Sequence, residues 1–135
     1  MKIDSNMFGT IDIAVSGLQA YQRQMQVVGS NMANMQTTNA GDGKPYRRLI
    51  ATFEAVDEGA GGVKIKDIVK DNSDFQRVLR PGHPDADENG YVAMPNVDWP
   101  TEMINLNAAS RAYQANAAIL KRYQTMIESS LELLK

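Results

Sequence analysis

The chain holds a single histidine, His83, set between Gly82 and Pro84, and no serine, cysteine or second histidine stands at a recognisable catalytic spacing from it. An imidazole with no nucleophile to activate and no group to orient it has no acid–base task, so catalysis is not expected. Two residues later, Asp85-Ala-Asp87-Glu-Asn89-Gly90 reproduces the first half of a calcium loop, with oxygens at alternate positions and glycine at the tight turn. Its second half fails. The twelfth position, where a bidentate glutamate should close the site, is Asn96, and Pro95 precedes it. A polar turn accounts for the same residues, so a soluble calcium- or ligand-binding α+β module stays only as an alternative, and no metal or cofactor is expected. Gly59-Ala-Gly61-Gly62 has no Lys-Ser/Thr after it and reads as a flexible turn, not a phosphate cradle. The chain is read as a non-enzyme.

Composition narrows the partners. A formal net charge of -2, with no run of Lys or Arg, gives no attraction to a phosphate backbone, so nucleic acid is not an expected partner. The absence of cysteine removes disulfide and thiolate chemistry. No stretch approaches the roughly 18 continuous apolar residues of a membrane span, and the N-terminus lacks the basic, apolar and small-residue regions of a cleaved secretory signal.

What remains is packing. Thr101 to Lys135 carries Met103, Leu106, Ser110, Tyr113, Ala117, Leu120, Gln124, Ile127, Leu131 and Leu134 at alternating spacings of three and four, and one of its two heptad rows, Leu106, Tyr113, Leu120, Ile127 and Leu134, is wholly apolar. That pattern predicts a long amphipathic helix of coiled-coil type, near 50 Å at about 1.5 Å per residue. The start of the chain offers a match: Ile11, Ala14, Leu18, Tyr21, Met25, Val28, Met32 and Met35 keep the same spacing, predicting a helix over 10–35. Its polar face is glutamine, asparagine and serine with few charges, unlike the Lys/Glu-laced face of a helix in water. Gly17 and Gly29 interrupt it, marking either breaks in a marginal helix or places where another backbone comes close. Between the helices, Tyr46–Val56, Val63–Val69, Phe75–Leu79 and Tyr91–Pro95 read as short strands of a small sheet, and Asp98-Trp-Pro-Thr-Glu102 reads as a helix start. The expected class is α+β, with long N- and C-terminal helices forming a coiled-coil-like layer around a small β-rich middle domain. The divisions are 1–38, 39–97 and 98–135.

Two stretches also resemble a known family. Residues 11–38, with Ser16-Gly-Leu18 and the N-x-A-N-x-x-T run from Asn31 to Thr37, are similar to the N-terminal signature of bacterial flagellar rod and hook proteins. The tail from Glu102 to Leu134, with S-R-A-Y-x-A-N on Ser110 to Asn116, is similar to their C-terminal helix. The runs Gly43–Arg48 and Gly90–Val97, and the longer Asn39–Pro45 linker, most resemble the short proximal rod members, another rod subunit being the nearest alternative. The resemblance implies a structural subunit of a hollow, torque-transmitting periplasmic drive shaft, exported without a cleaved signal by the flagellar export apparatus. Its implied partners are copies of itself and other rod proteins. Ile11, Leu18, Met25, Val28, Met32, Leu106, Tyr113, Leu120, Ile127, Leu131 and Leu134 are the expected assembly seam. Asn31, Asn34, Arg111 and Asn116 are the expected polar register residues, by resemblance and because a buried polar group can specify register at some cost in stability.

Overall fold

The computed structural model describes residues 6–59 and 61–133, so Leu134 of the expected seam lies outside the described residues. The order is α1 (Asn6–Ala33), β1 (Leu49–Ala55), β2 (Val63–Lys70), β3 (Gln76–Leu79), β4 (Tyr91–Met94) and α2 (Trp99–Glu132). The class is α+β. Both long helices form where the spacing places them, α1 starting four residues earlier and ending two earlier than expected. The strands pair only locally. β1 and β2 form one antiparallel two-stranded sheet and β3 and β4 another, where a sheet of three or four strands was expected. Each strand is short and joined to its neighbour in sequence, and the polar Asp71-Asn-Ser-Asp74 connection keeps the two hairpins apart.

The two helices pack antiparallel. Glu102, at the start of α2, meets Asn31 near the end of α1, while Asn116 lies against Gly17; the step of fourteen positions from Gly17 to Asn31 matches that from Glu102 to Asn116. The deepest line on α2 is Glu102, Ala109 and Asn116, with Glu102 and Ala109 fully buried. Leu106, Tyr113 and Leu120 run beside this line half-buried, whereas Ile127 and Leu131 are exposed. On α1 the buried positions are Gly9, Ala14, Gly17, Ala20, Val27, Val28 and Asn31, and the expected Ile11, Leu18, Met25 and Met32 are half-buried.

The β1–β2 hairpin lies on α1, which explains much of the helix's charge-poor surface. Ser16 Oγ donates to Ile13 O (2.7 Å) and accepts the N–H of Val63 (3.1 Å), and the Tyr21 and Phe53 rings stand 5.5 Å apart. α1 is thus covered on two sides, and a charged residue on either would be stripped of water. The glycines separate into two cases. A Cβ on Gly17 would fall 2.7 Å from Asn116 Nδ2, so here the two helices do come close. Gly29 is exposed with open space around it, and the helix runs through without a break. Gly29→Ala should therefore stabilise the free chain by about 1 kcal/mol, read from the urea midpoint, since alanine gains helix propensity and meets nothing. Unchanged or lower stability would show that the position is constrained within the chain.

α1 ends where Asn34 folds back, its N–H and its Nδ2 both donating to Ser30 O. The linker that follows is built, not loose: Asn39 Oδ1 accepts the N–H groups of Gly41 and Gly43, both at positive φ, and Tyr46 N donates to Thr37 O across its neck. At the other end, Asp98 caps α2 by accepting from Thr101 N (3.1 Å) and Thr101 Oγ1 (2.6 Å), as the Asp-Trp-Pro-Thr-Glu run predicts.

Candidate functional site

Four segments of chain converge where α1 ends and α2 begins, and the side chains between them are polar. Asn31 is buried and uses its whole amide. Its Nδ2 donates to Leu49 O (2.8 Å) and to Glu102 Oε2 (3.1 Å), while its Oδ1 accepts from Leu49 N (2.8 Å) and from Tyr46 Oη (3.0 Å). The helix side chain thereby pairs with both main-chain groups of the first residue of β1, as a neighbouring strand would. Glu102, buried to 0% exposure, accepts from Asn31 on one oxygen and from Arg48 Nε on the other, at 2.6 Å. Arg48 reaches on to Asp71 Oδ2 (3.5 Å), and its main-chain N–H donates to Asn96 Oδ1 (2.8 Å). Asn96 in turn donates to Asp71 O (3.0 Å) and Ser73 Oγ (2.9 Å), tying the connection before α2 to the one before β3.

Electrostatics fit the geometry. Burial pulls the Arg48 guanidinium down, but the hydrogen bonds and charges of Glu102 and Asp71 outweigh it and hold the group above its ordinary value. Bonds from the Ser73 main chain and hydroxyl, then from Arg48, hold the Asp71 carboxyl below its usual range. Thr101's hydroxyl and N–H do the same for Asp98, and Lys66 with Lys64 for Glu54. A carboxyl depressed in the folded state adds stability that is present above its unfolded value and lost as pH falls through the folded one. The melting temperature should therefore hold between pH 7 and about 5 and decline below about pH 4. Asp98→Asn should flatten part of that acid limb; an unchanged limb would mean the cap carries none of it.

Of the expected register residues, Asn31 stands in this cluster. Asn34 serves the end of α1, accepting from Thr37 Oγ1 (3.2 Å) as well as capping its own turn. Asn116 donates to Ala112 O (2.9 Å) within α2 and presses on Gly17. Arg111 is exposed, with no hydrogen bond or ion pair among the described residues. Tyr46, Arg48, Asn96 and Glu102 were not singled out by sequence as a site. Glu102 reads there as a charge at the favourable end of a helix dipole; the signal that finds it is its place on the inward row with Ala109 and Asn116. In the Asp85–Gly90 run the two aspartates bond within the chain. Asp87 pairs with Arg77 and accepts the N–H groups of Asn89 (3.0 Å) and Tyr91 (2.9 Å), and Asp85 accepts from Thr38 Oγ1 (2.7 Å). Among the described residues no group of three or more His, Cys, Asp or Glu could hold a metal ion.

Comparison with known proteins matches each helical end to a family of flagellar basal-body rod proteins. Residues 11–40 match the family described as flagella basal body rod protein, and residues 88–133 match the flagellar basal body rod FlgEFG protein C-terminal family. The chain is 39% identical over 130 residues to the flagellar basal-body rod protein FlgC of Salmonella typhimurium, covering 94% of this chain and 97% of that one. It is 37% identical over 147 residues to FlgC of Bacillus subtilis (95% and 98% covered), and 34% identical over 149 residues to FlgC of Borreliella burgdorferi (96% and 98%). The chain belongs to the flagellar basal-body rod family. As a FlgC-like member of that family it is a structural rod subunit. The family's N-terminal match contains Asn31 and its C-terminal match contains Asn96 and Glu102, so the polar cluster joins the two matched regions, with Tyr46 and Arg48 supplied from between them.

Proposed function

We propose that this rod subunit belongs to the proximal part of the shaft and assembles, with copies of itself and with other rod proteins, through the faces of α1 and α2 that its own fold leaves open. The supporting observation is what α2 leaves uncovered. Beyond the line that meets α1, a second stripe, Ile104, Ala108, Arg111, Ala115, Ala118, Ile119, Arg122 and Met126, is exposed from one end of the helix to the other, with Ile104 69% and Met126 45% accessible. Isoleucine, methionine and alanine left in water along such a stripe, with Arg111 and Arg122 among them, mark a contact surface, and alanines let a neighbouring backbone approach closely. Between Ile11 of α1 and Leu120, Tyr123 and Ile127 of α2 runs a further open groove, lined almost wholly by apolar atoms. In this reading the half-buried row Leu106, Tyr113 and Leu120, continued by exposed Ile127, is shared, touching α1 of its own chain on one side and a neighbour on the other. Half-covered Ile11, Leu18, Met25 and Met32 serve α1 in the same way, and unpaired Arg111 finds its partner between subunits. Torque then passes through many parallel helix contacts, not through a catalytic group.

The same reading puts the assembled chain in the periplasmic rod, delivered by the flagellar export apparatus with its N-terminus uncut, and divides it into helical segments 1–38 and 98–135 around an outward-facing 39–97. No helix among the described residues is long and apolar enough to cross a membrane. Basal bodies purified from cells carrying a tagged copy should contain the chain, with its N-terminal residue retained, and a deletion strain should lack motility. A motile deletion strain with intact basal bodies would overturn the proposal.

A further inference from the structure

The surfaces that meet between α1 and α2 do little to fix how far one helix slides along the other. On α1 they include Ala14, Gly17 and Val28, and on α2 Ala109, small or smooth residues that a one-heptad slip would merely exchange. Polar groups forbid the exchange. Slipped one way, Glu102 would face Gln24; slipped the other, Asn31 would face Ala109. In both cases the bond between Asn31 and Glu102 is broken, and the buried carboxylate loses a partner. Arg48 adds a second constraint. It approaches Glu102 from the strand side while its own main chain is held by Asn96, so α2 cannot move without breaking the link to the β1–β2 hairpin.

We propose that Glu102, held between Asn31 and Arg48, is the positioning residue that selects the axial register of α1 against α2 and, through Arg48, fixes where the β1–β2 hairpin sits on the helix pair. Register selection by buried polar groups is known from coiled coils, where one such residue chooses between packings that apolar side chains leave nearly equal. This inference concerns the folded chain itself and stands apart from how the subunit assembles.

The chain has no cysteine, so introduced thiols report register cleanly. Gly17→Cys is combined in turn with Asn116→Cys, Ala109→Cys and Tyr123→Cys, the last two lying one heptad to either side of the observed partner and carried with Asn116→Ala, so that the Cβ added at 17 meets no amide. Each pair is oxidised under mild conditions with Glu102 intact and again with Glu102→Gln or Glu102→Leu, and helix content is followed by circular dichroism. With Glu102 present, the 17–116 disulfide should dominate. In the Gln variant, helix content should persist while the preference for 17–116 over 17–109 and 17–123 falls about tenfold or more, the effect of one lost buried partner. Glu102→Asp, which keeps the charge, should restore part of the preference. Unchanged selectivity in both the Gln and Leu variants would overturn the inference. So would loss of all helix content in the Gln variant, because a residue needed merely for folding does not choose between registers.

Discussion

Arg48→Met should destabilise the chain by about 3–5 kcal/mol, measured as a shift of the urea midpoint at unchanged slope. The reason lies in what is left behind. Glu102 is wholly buried, and its two bonds come from Arg48 Nε at 2.6 Å and Asn31 Nδ2 at 3.1 Å; without the guanidinium, its charge keeps one neutral amide. Breaking a buried pair from one side costs more than the pair contributes, because the surviving ion stays desolvated. That asymmetry makes the double variant the sharper measurement. Arg48→Met with Glu102→Leu removes both charges and fills the site with apolar atoms, so it should be well over 1 kcal/mol more stable than Arg48→Met alone. Asn31 would still hold both main-chain groups of Leu49. If the two losses simply added, Arg48 and Glu102 would not act on each other and the distances would be misleading about energy.

The cluster also shows what a sequence discloses. The lengths of α1 and α2 were legible because an apolar period sustained over about thirty residues has few other readings, and the cap at Asp98 because its residue types have a fixed job at helix starts. The strands were legible as local runs, but their grouping was not: pairing two hairpins into one sheet or leaving them separate depends on long-range contacts that alternation does not encode. The side of α2 that faces α1 within the chain was legible to within one row. A heptad pattern gives the apolar residues but not the rotation of the helix about its axis, and the deepest line turned out to be Glu102, Ala109 and Asn116, beside the leucine row and not on it. Glu102 and Arg48 were hidden for a related reason. A charged residue next to a helix start is favourable in water as well, so only its partner 54 positions away in sequence reveals that it is buried. Gly17 and Gly29 look alike in the sequence; one backs onto Asn116 and the other faces open space.

Met126→Asp should leave the free chain as stable as before, within about 0.5 kcal/mol, and abolish its incorporation into the rod. Met126 lies on the exposed stripe of α2, lining an open groove with Ala118, Lys121, Arg122, Thr125 and Ser129, so a carboxylate there stays in water in the monomer. Leu120→Asp would be less informative. Leu120 is half-buried beside Ile11, and a charge at that point would strain the chain's own helix pair as well as any contact with a neighbour. In an assembled shaft, by contrast, an aspartate at 126 would be stripped of water against a neighbour's helix, and the penalty would recur at every copy. A loss that is invisible in one molecule then becomes decisive in many. The readout is motility together with the amount of chain in purified basal bodies, alongside the melting temperature of the free protein. Wild-type swimming with the variant fully incorporated would show that this stripe of α2 faces solvent in the rod, and the assembly contacts would then have to lie in the groove between Ile11 and Ile127 and along the open side of α1.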